Sequence, residues 1–164
     1  MPTARERGVP FYYPPVERLV ASRAGAWFFT HVAMRLDRVL MPMTGGRVRM
    51  SLTMPSGLLY VRGAKTGVER EVPLLYVPLD AERLALVASN GGNPRNPAWY
   101  HNLRANPDCR FAARGREAAY RARLVEGAER EELWRRAIRQ YAGWETYQAR
   151  AAGREIPVFV LEPA

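Results

Sequence analysis

One cysteine, one lysine and two histidines are all that 164 residues supply of three side-chain types on which enzyme sites often rest. A lone Cys109 excludes an intrachain disulfide and points to a reducing compartment. Placed at the start of a β-rich run, it reads as a small buried apolar residue rather than a catalytic thiol. His31 and His101 lie far apart, with no cysteine or carboxylate cluster beside either, so no metal site is expected. Only four serines occur and none sits in a G-x-S-x-G turn; no G-x-G-x-x-G follows a strand-like run. A hydrolase elbow and a Rossmann nucleotide site are therefore set aside, and if the chain is an enzyme, a bound cofactor carries the difficult step.

Long apolar runs are missing too. The charge-free stretch 24–34 has 11 residues, far short of the roughly 20 that span a bilayer. Glu6, Pro10, Pro14 and Pro15 occupy the place where a secretory signal would carry its basic and apolar regions. The expected location is the cytoplasm, with the inner face of the cell membrane as an option.

What the chain has in excess is arginine. The net charge is +9 with Lys65 as the sole lysine, and residues 1–50 hold eight Arg against Glu6, Glu17 and Asp37. An anionic partner fits such a population of rigid guanidinium forks. Nucleic acid is not the expected one, because the aromatics cluster with Pro and Asn instead of interleaving with Arg along a strand face.

Residues 1–15 read as a flexible arm. From 16 to 40, Val16, Leu19, Val20, Trp27, Phe28, Val32, Leu36 and Val39 recur at helical steps with arginines between them, an amphipathic helix. Such a helix packs either on the domain's own core or in a membrane interface with Trp and Phe inward. Beyond a Pro/Gly-rich connection the period changes. Runs at 58–63, 70–79, 83–90, 109–115, 117–126 and 156–162 are strand-like, while 98–105, 128–142 and 144–152 are helical. Hairpin-linked strands with helices at a crossover and near the end predict one α+β domain over 16–164. Its mostly antiparallel sheet is expected to curl into a barrel.

Three stretches carry possible chemistry. Gly63, Lys65, Thr66 and Gly67 form a tight loop between two strands, with Arg62 and Arg70 flanking it; it is either a polar hairpin turn or an anion site. The segment NGGNPRNPAWYHNLRANPDC at 90–109 sets Trp99, Tyr100 and His101 among five Asn and three Pro. Tyr141, Trp144 and Tyr147 are spaced by three, which on one helix places them on one side, a surface suited to a planar ligand.

The span GAKTGVEREVPLLYV followed by ASNGGNPRNPAWYHNLRANP resembles the deazaflavin-dependent nitroreductase family, whose members reduce quinones and nitroaromatics with reduced coenzyme F₄₂₀. The similarity runs over roughly residues 16–162 and implies a split β-barrel of the FMN-binding type. By this resemblance Lys65, Thr66, Gly67 and Arg70 hold the cofactor's phosphate and acidic tail, and Ser89, Asn90, Trp99 and Asn102 pack against the deazaflavin. Tyr141, Trp144 and Tyr147 line the substrate side, with Tyr141, Tyr147 and Ser89 as catalytic candidates, while Tyr100 and His101 are left to packing. Ala64 stands where the family usually has arginine, and Arg62 compensates only if it points the same way. The resemblance implies hydride transfer from F₄₂₀ to a quinone, a nitroaromatic or a similar acceptor, a menaquinone-like quinone in particular. The alternatives are a non-catalytic cofactor or fatty-acid binder on the same barrel, or a relative that binds FMN or haem.

Overall fold

The computed structural model describes residues 54–164, so the expected arm 1–15 and helix 16–40 lie outside the described residues. Six strands and three helices follow in the order β1 (Ser56–Arg62), β2 (Glu69–Pro78), β3 (Leu84–Val87), α1 (Ala98–Ala105), β4 (Asp108–Ala113), β5 (Arg116–Val125), α2 (Gly127–Gln140), α3 (Gly143–Arg150) and β6 (Val158–Pro163). The strands close into an antiparallel barrel with neighbours in the order β1-β2-β3-β6-β5-β4. This is the α+β split-barrel architecture expected from the sequence.

Two-residue alternation sorts the side chains into two layers. On β3, Leu84 and Leu86 face the barrel interior while Ala85 and Val87 face outward; on β6, Phe159 and Leu161 face in while Val158 and Val160 face out. The inward set packs with Leu59, Val61 and Phe111, and the outward set is covered by Trp134 and Ala137 of α2 and Trp144 of α3. Each fully buried side chain of this size contributes about 1.5–3 kcal/mol relative to exposure, so both faces of β3 and β6 are anchored. Helix α1 runs from the end of β3 to the start of β4 and sends Trp99, Tyr100 and Leu103 into the interior cluster, plugging that end. Cys109 is buried on β4, and burial together with Asp108 pushes its thiol up to about 12, so it is an inert packing residue.

β2 is only partly paired. It matches β1 along Glu69–Leu75 but meets β3 only at Tyr76, Val77 and Pro78. Among the described residues, 69–75 therefore keeps one edge open, and the inward Val72 and Leu74 beside it are half-buried. The Gln140 amide donates to the Tyr76 carbonyl (2.9 Å), where the β2–β3 ladder ends.

Boundaries moved where turn chemistry intervened. β3 stops at Val87 instead of running to residue 90, because the Ser89 N–H turns back onto the Val87 carbonyl (2.9 Å) and Asn90, Gly91 and Gly92 take φ of 50°, 65° and 84°. Tyr141 is extended (φ −150°, ψ 103°) and ends α2 two residues before the expected 142. Ala152 and Gly153 (φ 52° and 81°) close α3 at Arg150.

Candidate functional site

The end of the barrel that α1 plugs gathers most of the residues singled out by sequence. In the β1–β2 hairpin the Gly63 N–H donates to Val68 O and the Gly67 N–H to Gly63 O, each at 2.9 Å. Thr66 Oγ1 accepts the Val68 N–H (3.3 Å), which leaves its own O–H as a donor at the tip. Lys65, Thr66, Gly67 and Arg70 are all exposed there. None of the ion pairs among the described residues uses Lys65 or Arg70, whereas Arg110 pairs with Glu69 and Glu117, and Arg123 with Glu129 and Glu162. Uncompensated cations on a tight turn are an anion-binding arrangement.

Register decides which arginine can help. Val61 lies opposite Arg70 and Arg62 opposite Glu69, so Arg70 shares the face of the inward Val61 and Arg62 is on the other face. Arg62 therefore does not join Arg70 on that face. Its side chain lines a separate groove of about 470 Å³ with Tyr60, Glu69, Asn106, Asp108 and Arg110, where acidic and basic groups alternate.

Asn102 ties the hairpin to α1. Its Oδ1 accepts the Ala64 N–H (3.0 Å), and the Asn106 amide donates to Arg62 O (3.4 Å) one turn later. Trp99, one turn earlier on α1, is 6% exposed and packs on Phe159 with ring centroids 6.1 Å apart. Tyr100 packs on the same Phe159 ring at 5.7 Å, so both neighbouring rings are core contacts. His101 is exposed and meets the Tyr100 ring at right angles, with centroids 5.1 Å apart.

The turn before α1 leans on α3. Gly92 is so close to α3 that an added Cβ would lie 2.8 Å from Tyr147 O. Ser89 is 8% exposed at the head of this turn, and the exposed Asn90 spans it by donating its amide to Arg95 O (3.0 Å).

The three late aromatics do converge, but not along one helix. Tyr141 stands at the corner after α2 and its ring folds back over Gly143, where any Cβ would collide with it. The rings meet edge to face: Tyr141–Trp144 at 5.5 Å, Trp144–Tyr147 at 5.9 Å and Tyr141–Tyr147 at 6.2 Å, with the two hydroxyls 3.3 Å apart. Burial and the hydrogen bond to Tyr147 raise the Tyr141 pKa above the ordinary tyrosine value, so Tyr141 holds its proton at neutral pH. Trp144 is 4% exposed, and its Nε1–H is buried without a partner. Such an orphan donor costs about 1–3 kcal/mol unless something accepts it.

Sequence reasoning missed Arg154. Its guanidinium donates to Asn96 Oδ1 (2.6 Å), Asn93 O (2.8 Å), Ser89 O (3.0 Å) and Ala88 O (3.3 Å). An arginine next to Gly153 reads as surface charge in a sequence, and nothing local reveals that it folds inward.

Comparison with known proteins agrees with the barrel fold and identifies the family. Residues 33–163 match the family model of F₄₂₀H₂-dependent quinone reductases. An F₄₂₀H₂-dependent quinone reductase of Mycobacterium tuberculosis is 36% identical over 143 residues, covering 82% of this chain and 95% of the relative. Among solved structures, one of an F₄₂₀H₂-dependent reductase is 39% identical with a TM-score of 0.61, covering 66% of this chain and 94% of the other. Another, a domain-swapped dimer, is 36% identical with a TM-score of 0.64, covering 79% and 95%.

Proposed function

Because this chain belongs to the F₄₂₀H₂-dependent quinone reductase family, we propose that the barrel end built from the β1–β2 hairpin, α1, the 88–97 turn and the α2–α3 corner is where cofactor and acceptor meet. The family makes the chain an oxidoreductase with F₄₂₀ as cofactor and a quinone as acceptor. The observation that carries the placement is the asymmetry of this end. Cations without acidic partners stand at the hairpin, and neutral aromatic donors stand at the α2–α3 corner.

Both halves fit the group. Lys65, Arg70 and the Thr66 hydroxyl suit a phosphate with an acidic tail. The two tyrosine hydroxyls suit carbonyl oxygens on a planar ring, while Trp144, buried in the layer behind β3 and β6, supports both tyrosine rings and does not line the acceptor side as the resemblance implied. When bound, the deazaflavin supplies a hydride, much as a nicotinamide does. The protein's work is then to hold the anionic end, fix the plane, exclude water and deliver a proton. Asn102 sets the hairpin against α1 and Asn90 spans the turn before it, while Ser89 and Trp99 are buried, Trp99 on Phe159. Tyr141, kept protonated, shares a hydrogen bond with Tyr147 in which either hydroxyl can donate, and Tyr147 is the residue assigned to pass a proton to the acceptor.

Titrating the protein with F₄₂₀ and following cofactor fluorescence tests the reading; an unchanged signal at micromolar protein would sink it. Tyr147→Phe is expected to lower quinone turnover by about 100-fold, the lower range for losing a positioned proton donor, while changing F₄₂₀ affinity less than twofold. The opposite pattern would move Tyr147 out of the acceptor pocket.

A menaquinone-like acceptor is the finer part of the proposal. It draws support from the 16–40 pattern, where Trp27 and Phe28 alternate with Arg18, Arg23, Arg35 and Arg38 as in helices that lie on anionic bilayers. Co-sedimentation with vesicles containing anionic lipid checks it, and a protein left in the supernatant at low salt overturns it.

A further inference from the structure

We infer that Arg154 is a positioning residue for the reaction: its single guanidinium locks both ends of the 88–96 turn and thereby fixes Ser89 and Trp99 relative to the α3 aromatics. The inference rests on the reading of this barrel end as the cofactor site. Four acceptors converge on its two terminal nitrogens, from Ala88 and Ser89 at the exit of β3 and from Asn93 and Asn96 at the approach to α1. No other side chain among the described residues hydrogen-bonds to both ends of this segment.

The turn needs such a lock. Asn90, Gly91 and Gly92 are three consecutive residues with positive φ, held internally only by Gly92 N–H to Ser89 O (3.0 Å), Asn93 N–H to Asn90 O (3.1 Å) and the Asn90 and Asn93 side chains. Glycine there gives the chain freedom to leave that path. Arg154 is itself fixed to α3. Its N–H donates to Ala151 O (3.0 Å), its carbonyl accepts the Gln148 amide (2.7 Å), and Gln148 Oε1 accepts the Ile156 N–H (2.9 Å). The guanidinium therefore couples the helix that carries Tyr147 to the turn that carries Ser89.

All four acceptors are neutral carbonyls. A carboxylate partner would suit either cation, but a planar fork that serves four acceptors at once is particular to arginine. The chemistry of the partners thus points to geometry, and not ion pairing, as what this residue provides.

The test uses the full chain, with F₄₂₀ as probe and three variants. Arg154→Ala is expected to raise the F₄₂₀ dissociation constant at least tenfold and to speed amide exchange across 89–97. Arg154→Lys is expected to stay within threefold of the alanine variant, since an ammonium with three donors cannot span the four acceptors. Asn96→Ala, which removes one acceptor and leaves the arginine in place, is expected to weaken binding about threefold with the same local exchange pattern, and it keeps the test alive should Arg154→Ala fail to fold. Binding within twofold of wild type in Arg154→Ala, or full recovery by lysine, would overturn the inference. Failure of the underlying site reading looks different, for then the unaltered protein gives no fluorescence change with F₄₂₀ at all.

Discussion

Replacing Lys65 and Arg70 together by alanine is expected to weaken F₄₂₀ binding by about a hundredfold, and each alone by about tenfold, with little change in thermal stability. The two expectations share one cause. Neither cation has an acidic partner among the described residues, so removing it breaks no internal ion pair, and a bound anion is the only group that would miss it. The loss should be larger here than in relatives with a full set of basic residues on this loop. Ala64 supplies no charge, and the strand register turns Arg62 to the opposite face. Ala64→Arg should accordingly tighten binding, and rising salt should weaken wild-type affinity more than that of the double variant. Fluorescence titrations at low and high ionic strength measure all of this. Equal affinities for wild type and the double variant at low salt would show that the hairpin is an ordinary polar turn.

The barrel could be read from the sequence because its signals are local. Leu84, Ala85, Leu86 and Val87 on β3, and Val158 to Leu161 on β6, are apolar on both faces since one face fills the interior and the other meets α2 and α3. Gly63 and Gly67 mark the hairpin for a similar local reason. Much of the candidate site was legible only through the resemblance, and its geometry was not legible at all. With Lys65 the sole lysine, every other basic side chain is an arginine, and nothing in the string separates Arg110, paired with Glu69 and Glu117, from Arg70, unpaired, or from Arg154, folded onto four carbonyls. Those fates depend on register and on contacts 41 to 66 residues apart. The spacing by three of Tyr141, Trp144 and Tyr147 found the right cluster for an incomplete reason: the chain leaves its helix at Tyr141, and the corner at Gly143, not a continuous helix face, closes the rings on each other.

Gly92→Ala is expected to cost about 3 kcal/mol of stability and to damage acceptor turnover, whereas Gly91→Ala should cost only about 1 kcal/mol. Both glycines are left-handed, with φ of 84° and 65°, so the backbone strain imposed on alanine is similar at the two positions. They differ in what the new methyl group meets. At Gly91 there is nothing within 4 Å, while at Gly92 it would sit 2.8 Å from Tyr147 O, 2.8 Å from Arg150 Cβ and 3.1 Å from Tyr147 Cα. Two of those three atoms are backbone, so relief requires α3 to move away from the turn, and Tyr147 moves with it. Against a typical stability of about 5–15 kcal/mol, a loss of this size is large and should lower the melting temperature by roughly 10 °C. The functional effect should follow the displaced helix: quinone turnover falls well below that of Gly91→Ala, and F₄₂₀ affinity, if the turn that Arg154 holds is part of the cofactor site, falls with it. Paired melting curves and steady-state kinetics on the two variants decide it. Equal losses at both glycines would mean that left-handed strain alone is responsible, and that the close approach of the turn to α3 does not set the position of Tyr147.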